Sequence, residues 1–87
     1  MYYVYILYSL KDRKYYTGYT EDLQRRIKEH FSGWEKSTKY RIPFKLIYYE
    51  AYLDKRDAKG RELFLKSGSG KKYLKKQLKH CLNDLSK

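Results

Sequence analysis

The sequence contains little that could cross-link or anchor the chain. Cys81 is its one cysteine, so an intramolecular disulfide is excluded and a structural zinc site, which needs several thiolate or imidazole ligands, is not indicated. No segment approaches the ~20 consecutive apolar residues of a membrane-spanning helix. The apolar N-terminus MYYVYILYSL has no basic segment before it and no small-residue cleavage site after it, which predicts a strand and not a signal peptide. We therefore expect a cytoplasmic protein that does not span a membrane.

Acidic residues are also scarce. The 87 residues include 10 Asp and Glu against 21 Lys and Arg, which gives a net charge of +11. This length fits a single domain spanning residues 1–87. The charge favours a polyanion as partner, namely DNA, RNA or an anionic membrane surface. The excess is concentrated in residues 54–87, whose eleven basic and four acidic side chains leave a net of +7.

The beginning of the chain predicts a β-hairpin followed by a helix. Residues 2–9 are β-branched and aromatic, which is typical of a strand buried on both faces. Residues 14–19 follow a short polar break and form the second strand of the hairpin. Thr20 then offers a capping hydroxyl, and Glu21 and Asp22 place acids in the first turn. A helix is therefore expected to begin at Thr20.

This first helix has one apolar side. Its buried stripe is expected to consist of residues at four-residue spacing, namely Leu23, Ile27 and Phe31. Arg26 and His30, also four residues apart, lie together along one edge of that stripe. Gly33 is expected to end the helix, and residues 32–43 form a polar, basic loop without a regular period.

The remainder predicts one more strand and two helices. Pro43 introduces a strand over residues 44–52, Asp54 caps a helix that runs to about Lys66, and residues 67–70 break that helix. One face of the strand is expected to carry alternate residues: Phe44, Leu46, Tyr48, Glu50 and Tyr52. The last helix carries leucines on one side: Leu74, Leu78, Leu82 and Leu85. The expected fold class is α+β, a small three-stranded antiparallel sheet flanked by helices in the order ββαβαα.

Several common catalytic arrangements are missing. The chain has two histidines and no GxSxG nucleophile elbow. The segment Gly68-Ser69-Gly70-Lys71 is too short for a phosphate-binding GxxxxGKS/T loop. A pair of carboxylates of the glycosidase kind cannot be identified either. Serine-type hydrolases, P-loop nucleotide hydrolases and glycosidases are therefore not indicated.

What remains is an ordered set of residues. Tyr3-Val4-Tyr5 lies on the first predicted strand and Tyr16-Thr17-Gly18 on the second; Arg26 follows Gly18 by eight residues, and Glu62 lies on the helix after the third strand. This order resembles the GIY-YIG nuclease superfamily, whose two name-giving tripeptides lie on adjacent strands. The resemblance continues through most of the chain at His30, Gly33, Thr38, Pro43, Leu46, Tyr48, Glu50 and Ala58. The pattern looks most like the short, stand-alone bacterial members related to the nuclease domain of excision repair.

The resemblance implies a metal-dependent DNA endonuclease. Tyr5 resembles the proton acceptor of the family, and nearby cations are expected to favour its phenolate. Tyr16 would orient water or phosphate, Arg26 would bind a phosphate oxygen through its planar cation, and His30 would support the phosphate or relay a proton. Glu62 supplies hard oxygen donors suited to one Mg²⁺, with Mn²⁺ as the alternative ion.

Two basic segments are expected to hold the nucleic-acid backbone, the loop after the first helix and the last helix. The residues concerned are Lys39, Arg41, Lys71, Lys72, Lys75 and Lys76. Backbone contacts predict weak sequence preference and an affinity that falls steeply with salt. Structured or damaged DNA, in repair or recombination, is the expected substrate. RNA and a protein partner that supplies specificity stay open, and no membrane partner is expected.

Some positions depart from the family pattern. Tyr3 stands in place of the first Gly and Thr17 in place of the central Ile, while Tyr19 follows the second tripeptide where some relatives have Lys. An Asn that some relatives carry beyond the metal-binding Glu is missing. Three residues could replace it: Lys66, Lys72 or Tyr73. The alternative function is therefore a non-catalytic basic nucleic-acid-binding module that keeps the fold without the chemistry.

Overall fold

The computed structural model describes residues 1–86, and it contains the expected three-stranded antiparallel sheet. The strands are β1 (Tyr2–Ser9), β2 (Tyr15–Thr20) and β3 (Phe44–Tyr52), in the order β2-β1-β3. Since β1 lies in the centre, its aromatic and β-branched side chains are covered on both faces, and Val4–Ser9 are all buried. The predicted hairpin and third strand are confirmed. The uninterrupted apolar sequence of β1 suits its central place, because such a strand is stable only where both faces are packed.

Helices cover both faces of this sheet. They are α1 (Leu23–Phe31), α2 (Lys55–Lys66), α3 (Gly68–Gln77) and α4 (Lys79–Leu85), with a single 3-10 turn at Lys39–Arg41. The α+β class is confirmed, with the order ββαβααα. Two apolar clusters result. One joins Val4 and Ile6 of β1 to α2 and α3 through Ala58, Leu65 and Leu74. The other joins Tyr5 and Leu7 of β1 to Phe44 and, at its margin, to Leu23 and Ile27 of α1.

The start and the buried side of α1 differ from the prediction. Asp22, not Thr20, caps the helix, and its carboxylate accepts a hydrogen bond from the Arg25 N–H at 3.1 Å. Thr20 still belongs to β2, and its hydroxyl accepts from the Asp22 N–H at 3.1 Å. Phe31 is 45% exposed, whereas His30 is buried. The face of α1 that meets the sheet therefore carries an imidazole at its C-terminal end, and the prediction of a buried Phe31 was wrong.

The prediction that five alternate residues of β3 share one face was also wrong, because β3 contains a bulge. Tyr48 pairs with Ile6, but Leu46 pairs with Leu7, which leaves Ile47 as an extra residue. A bulge of this kind moves the following side chains to the other face. Phe44 accordingly packs on the α1 side of the sheet, whereas Tyr48 packs on the α2 side.

The C-terminal segment forms two helices and not one. Ser67 ends α2 and caps α3, accepting from the Gly70 N–H at 3.1 Å. Gly68 therefore starts a helix where a break had been predicted. Gly70 allows this close crossing, because a Cβ there would lie 1.9 Å from the Phe64 carbonyl oxygen. The helix predicted after it is interrupted at Leu78, between α3 and α4. No helix within residues 1–86 is long and apolar enough to cross a bilayer.

Candidate active site

A chain of three buried polar side chains lies between the sheet and α1. The Tyr5 hydroxyl is 2.9 Å from His30 Nε2, and His30 Nδ1 is 2.8 Å from Thr38 Oγ1. Tyr5 comes from β1, His30 from the last turn of α1 and Thr38 from the loop that follows. All three are at most 1% exposed. Buried polar atoms are costly unless paired, so each member of this chain depends on its neighbour.

Hydrogen bonding assigns a direction to this chain. The Thr38 hydroxyl donates to the Glu35 carbonyl oxygen at 3.5 Å, so its oxygen accepts from His30 Nδ1–H. His30 Nε2 is then free to accept from the Tyr5 hydroxyl. Burial, followed by the charge of Arg26, lowers the pKa of His30 below its ordinary value. The imidazole is therefore neutral at pH 7, with its acceptor nitrogen directed at Tyr5.

Arg26 joins this chain from the adjacent turn of α1. Its positive charge acts on the pKa of Tyr5, and its guanidinium lies 2.8 Å from Glu35 Oε2 and 3.3 Å from Glu29 Oε1. The hydrogen bond from Arg26 lowers the pKa of Glu35, as expected for a paired carboxylate. Arg26 thus ties α1 to the loop through Glu35, a residue for which the sequence gave no signal, since the pairing exists only once the loop has folded.

The expected phenolate at Tyr5 is not favoured. Burial raises the pKa of Tyr5 to about 12, although the neighbouring Arg26 cation acts in the opposite direction. Desolvation therefore exceeds the effect of the cation. Tyr5 carries its proton at neutral pH, and a role in proton transfer requires it to pass that proton on to His30.

Tyr16 and Gly18 complete this cluster on β2. The Tyr16 ring centroid is 4.9 Å from that of His30 and 6.4 Å from that of Tyr5. Gly18 lies directly under the Tyr5 phenol, and a Cβ at position 18 would be 2.2 Å from both Cζ and Oη of Tyr5. Only a glycine leaves room for the phenol to reach His30. The structure thus brings together Tyr5, Tyr16, Arg26 and His30.

Gly18→Ala is expected to destabilise the protein by about 1–3 kcal/mol, because the added methyl group forces the Tyr5 ring from its place. Gly60→Ala is the matched control. Gly60 lies in α2 with no atom within 4 Å of its added Cβ, so the change should stabilise the helix by up to about 1 kcal/mol. Urea denaturation midpoints measure both effects. Equal midpoints for the two variants would contradict the packing of Tyr5 on Gly18.

Glu62 lies apart from this cluster. It belongs to α2, which covers the opposite face of the sheet, and its side chain is 13% exposed. Its carboxylate is 3.1 Å from Lys66 Nζ and 3.8 Å from Lys59 Nζ. Lys66 also lines a depression together with Tyr16 and Thr17 of β2. Because β2 is an edge strand, Glu62 and Tyr16 approach the same edge of the sheet from its two sides.

The donors around Glu62 fit a cation held by one protein carboxylate. Residues 1–86 contain no group of three or more His, Cys, Asp and Glu side chains that could enclose a metal ion. Mg²⁺, however, commonly keeps several waters and takes only one or two carboxylates. On the same side of the sheet, the buried Tyr19 hydroxyl has no hydrogen-bond partner within the described residues. The pKa of Tyr19 is raised by burial first, then by Glu21 and Tyr2, and also by the charge of Glu62. A cation at Glu62 would have to displace Lys66.

A basic groove runs along the outer edge of β2, and we call it the β2-edge groove. It consists of two adjoining depressions that share Tyr15 and Lys71. The residues lining it are Asp12, Arg13, Lys14, Tyr15, Tyr16, Thr17, Arg41, Leu65, Lys66, Lys71, Leu74 and Lys75. Of the cations predicted to bind nucleic acid, Arg41, Lys71 and Lys75 line this groove. Lys39, Lys72 and Lys76 are exposed but do not line it.

Arg41 is the most constrained of these cations. Its Nε is 2.6 Å from Asp12 Oδ2, and its Nη2 donates to Asp12 Oδ1 and to the Tyr15 carbonyl oxygen, both at 3.3 Å. It therefore connects the loop to the hairpin. Arg13, Lys14 and Lys66 are lining cations that the sequence reasoning did not select for phosphate binding. Local sequence gives no signal for Arg13 and Lys14, because the hairpin turn meets the lysines of α3 only in the folded chain.

Comparison with known proteins agrees with this architecture. Residues 1–77 match the model of the GIY-YIG catalytic domain. A UPF0213 protein of Clostridium perfringens (strain 13 / Type A) is 48% identical over 67 residues, which are 76% of this chain and 71% of that protein. A UPF0213 protein of Streptococcus pneumoniae serotype 4 is 43% identical over 65 residues, which are 74% of this chain and 65% of that protein.

The fold is also similar to a solved structure. The solution NMR structure of a UPF0213 protein from Bacillus halodurans aligns with a TM-score of 0.53 and 45% identity, over 85% of this chain and 82% of that one. The family model covers both name-giving tripeptides, Arg26, His30 and Glu62. The chain belongs to the GIY-YIG family of catalytic domains, as its ordered residues had indicated.

Proposed function

We propose that the protein is a metal-dependent endonuclease that hydrolyses phosphodiester bonds in DNA. The observation that carries this proposal is the buried Tyr5–His30–Thr38 chain, with the charge of Arg26 acting on its first member. A directed proton path that ends beside a permanent cation is suited to activating water and stabilising a phosphate that gains negative charge. Membership of a catalytic family supports the same conclusion.

The proton path would work as a relay. As water attacks phosphorus, its proton passes to Tyr5 Oη while the Tyr5 proton passes to His30 Nε2, so no free phenolate is formed. Thr38 holds the imidazole in the tautomer that this transfer needs. The P–O bond to the leaving oxygen breaks, and that oxygen takes a proton from solvent. The arrangement thus accommodates the high pKa of Tyr5, about 12.

Arg26 and Glu62 would act on the phosphate. Arg26 can donate to a non-bridging oxygen, but a phosphate has to compete for it with Glu29 and Glu35. Glu62 would hold Mg²⁺, or Mn²⁺ in its place, and a bound ion would neutralise charge on the phosphate and the leaving oxygen. Tyr16 lies on the edge strand, with its ring beside His30 and at the depression that Lys66 lines, where it would orient the substrate.

The β2-edge groove would hold the DNA backbone. Tyr16 lies at one end of it, and Lys71, Lys75, Arg13 and Lys14 continue it away from the cluster. These are contacts to phosphate and not to bases, so they favour recognition of DNA shape over sequence. Structured or damaged DNA, met in repair or recombination, fits this kind of recognition. A protein partner could supply further specificity, and RNA is the alternative polyanion.

A second candidate function is nucleic-acid binding without catalysis. One observation favours it: Glu62 lies on the opposite face of the sheet from Tyr5 and is held by two lysines. If no cation displaces those lysines, the fold and the basic groove remain while the reaction lacks its metal. The two functions make opposite predictions for cleavage and the same prediction for salt-sensitive binding.

The deciding experiment is cleavage of labelled single-stranded, duplex, flap and branched DNA with Mg²⁺, Mn²⁺ or EDTA. A mock preparation, purified through the same columns from cells without the protein, controls for contaminating nuclease. Cleavage by the protein that requires metal and is absent from the mock preparation is the expected result. Tight, salt-sensitive binding without cleavage on every DNA would instead establish the binding module.

A further inference from the structure

The loop between α1 and β3 exposes two aromatic side chains beside the candidate active site. Trp34, which is the chain's one tryptophan, is 78% exposed, and Tyr40 is 73% exposed. Large apolar rings on a small domain usually enter the core, as Tyr5 and Tyr8 do here. Two rings left almost entirely in water on one short loop therefore indicate a contact that the isolated chain does not make.

The loop that carries these rings is fixed to the site at several points. Gly33, with φ +77°, ends α1 in a Schellman arrangement, in which Trp34 N–H donates to the Glu29 carbonyl. Glu35 binds Arg26 at 2.8 Å, and Thr38 binds His30 at 2.8 Å. At the far end, the Ser9 hydroxyl donates to the Arg41 carbonyl at 2.6 Å. The loop is thus fixed to Arg26 and His30 of the candidate active site and, at its far end, to β1.

Cations accompany the two rings. Lys39 Nζ is 4.8 Å from the centroid of the Tyr40 ring, and Lys36 is exposed on the same loop. The two ends of the loop lie close together, since a Cβ added to Gly33 would be 3.9 Å from Lys39 Cβ. Exposed aromatic faces next to lysines are what single-stranded nucleic acids require, because the bases stack and the phosphates pair with the cations.

We infer that Trp34 and Tyr40 form a stacking platform for unpaired bases, so that the protein prefers nucleic acid with a single-stranded segment next to the cleaved phosphate. The cleavage part of this inference rests on the proposed function, but the binding part does not. Duplex bases are already stacked on each other and cannot use the platform. A protein surface is the less suitable occupant, because the Lys39 ammonium lies over the Tyr40 ring and an apolar partner would have to bury that charge.

The fluorescence of Trp34 reports whether bases stack on its ring, because the chain has no other tryptophan and stacked bases quench indole fluorescence. Wild-type protein in EDTA is titrated with an oligothymidylate, with a duplex of equal phosphate number and with heparin. EDTA keeps the substrate intact, so a failure of the nuclease proposal does not affect this assay. We expect strong quenching by the oligothymidylate alone. Equal fluorescence changes with all three polyanions, or no change with any, would overturn the inference.

Affinities of variants provide the second measurement, by anisotropy of labelled oligonucleotides. Trp34→Ala is expected to weaken single-strand binding by about tenfold, as for the loss of one stacked base, and duplex binding by less than about twofold. Trp34→Phe should keep most of the single-strand affinity of the wild type. Leu53 is an exposed apolar residue elsewhere, and Leu53→Ala should change neither the single-strand nor the duplex affinity. Equal losses on both DNA forms would contradict stacking. Self-association that Trp34→Ala abolishes, with single-strand affinity unchanged, would assign the surface to a second copy of the chain.

Discussion

Glu62→Ala is expected to lower the rate of DNA cleavage by about a thousandfold or more while leaving DNA affinity unchanged. A bound cation contributes several kcal/mol to stabilisation of the transition state, and Glu62 is the proposed protein ligand. The fold should survive, because the ion pairs of Glu62 join lysines that are 51% and 52% exposed, and such pairs contribute little. Single-turnover cleavage and anisotropy in EDTA measure the two quantities separately.

Glu21→Ala is the matched control for this change. Glu21 is an exposed carboxylate at the end of β2, so its removal alters the net charge equally without touching the proposed metal ligand. Its cleavage rate should stay within about twofold of wild type. If Glu62→Ala cleaves at the wild-type rate, the metal assignment is wrong. If it loses rate and affinity together, Glu62 acts through the shape of the groove.

Tyr5→Phe is expected to slow cleavage by about two to four orders of magnitude, the usual contribution of a positioned proton-transfer group. The ring remains, so its packing on Gly18 and against Tyr16 is kept. The lost hydroxyl leaves His30 Nε2 without its donor in a buried position, which should cost about 1–3 kcal/mol of stability. Cleavage is therefore measured at a temperature where urea denaturation shows the variant to be folded.

The control for Tyr5→Phe is Tyr8→Phe. Tyr8 lies on the same strand and is 8% exposed, but its ring contacts Tyr15 on the other side of the sheet. Removal of its hydroxyl should leave the cleavage rate within about twofold of wild type. A wild-type rate for Tyr5→Phe as well would remove Tyr5 from the reaction and leave it a structural partner of His30.

The pH profile separates these two roles of Tyr5. The pKa of His30 is lowered by burial and by Arg26, so the imidazole stays neutral until the pH falls below the ordinary value of about 6.5. Protonation of Nε2 would then block the relay, and the wild-type rate should fall on the acid side. The free energy of unfolding should fall there too, because His30 of the unfolded chain takes up its proton first. In Tyr5→Phe the cleavage rate should no longer fall at acid pH, whereas the free energy of unfolding should still fall there.

Local sequence was sufficient to locate most elements. Three signals act within a few residues of the chain and therefore do not depend on tertiary contacts: the aromatic run of β1, the cap at Asp54 and the glycine that ends α1. The four-residue spacing of Arg26 and His30 likewise placed both on one side of a helix. Predictions failed where a neighbouring element decided the outcome. The bulge at Ile47 is set by pairing with β1, and Thr20 does not cap α1 because β2 continues to include it.

By itself, the sequence determined the family, the α+β class, the strongly basic charge and the identity of the residues that the family pattern selects. Only the tertiary structure decided how those residues are partnered. Burial raises the pKa of Tyr5 to about 12 despite the neighbouring Arg26 cation, and packing places the imidazole of His30 between Tyr5 and Thr38, which is eight residues further along the chain. Glu62 lies on the other side of the sheet from Tyr5 because α2 packs on the face of β1 that carries Val4 and Ile6. Solvation and distance between groups far apart in the chain depend on packing, which no local pattern encodes.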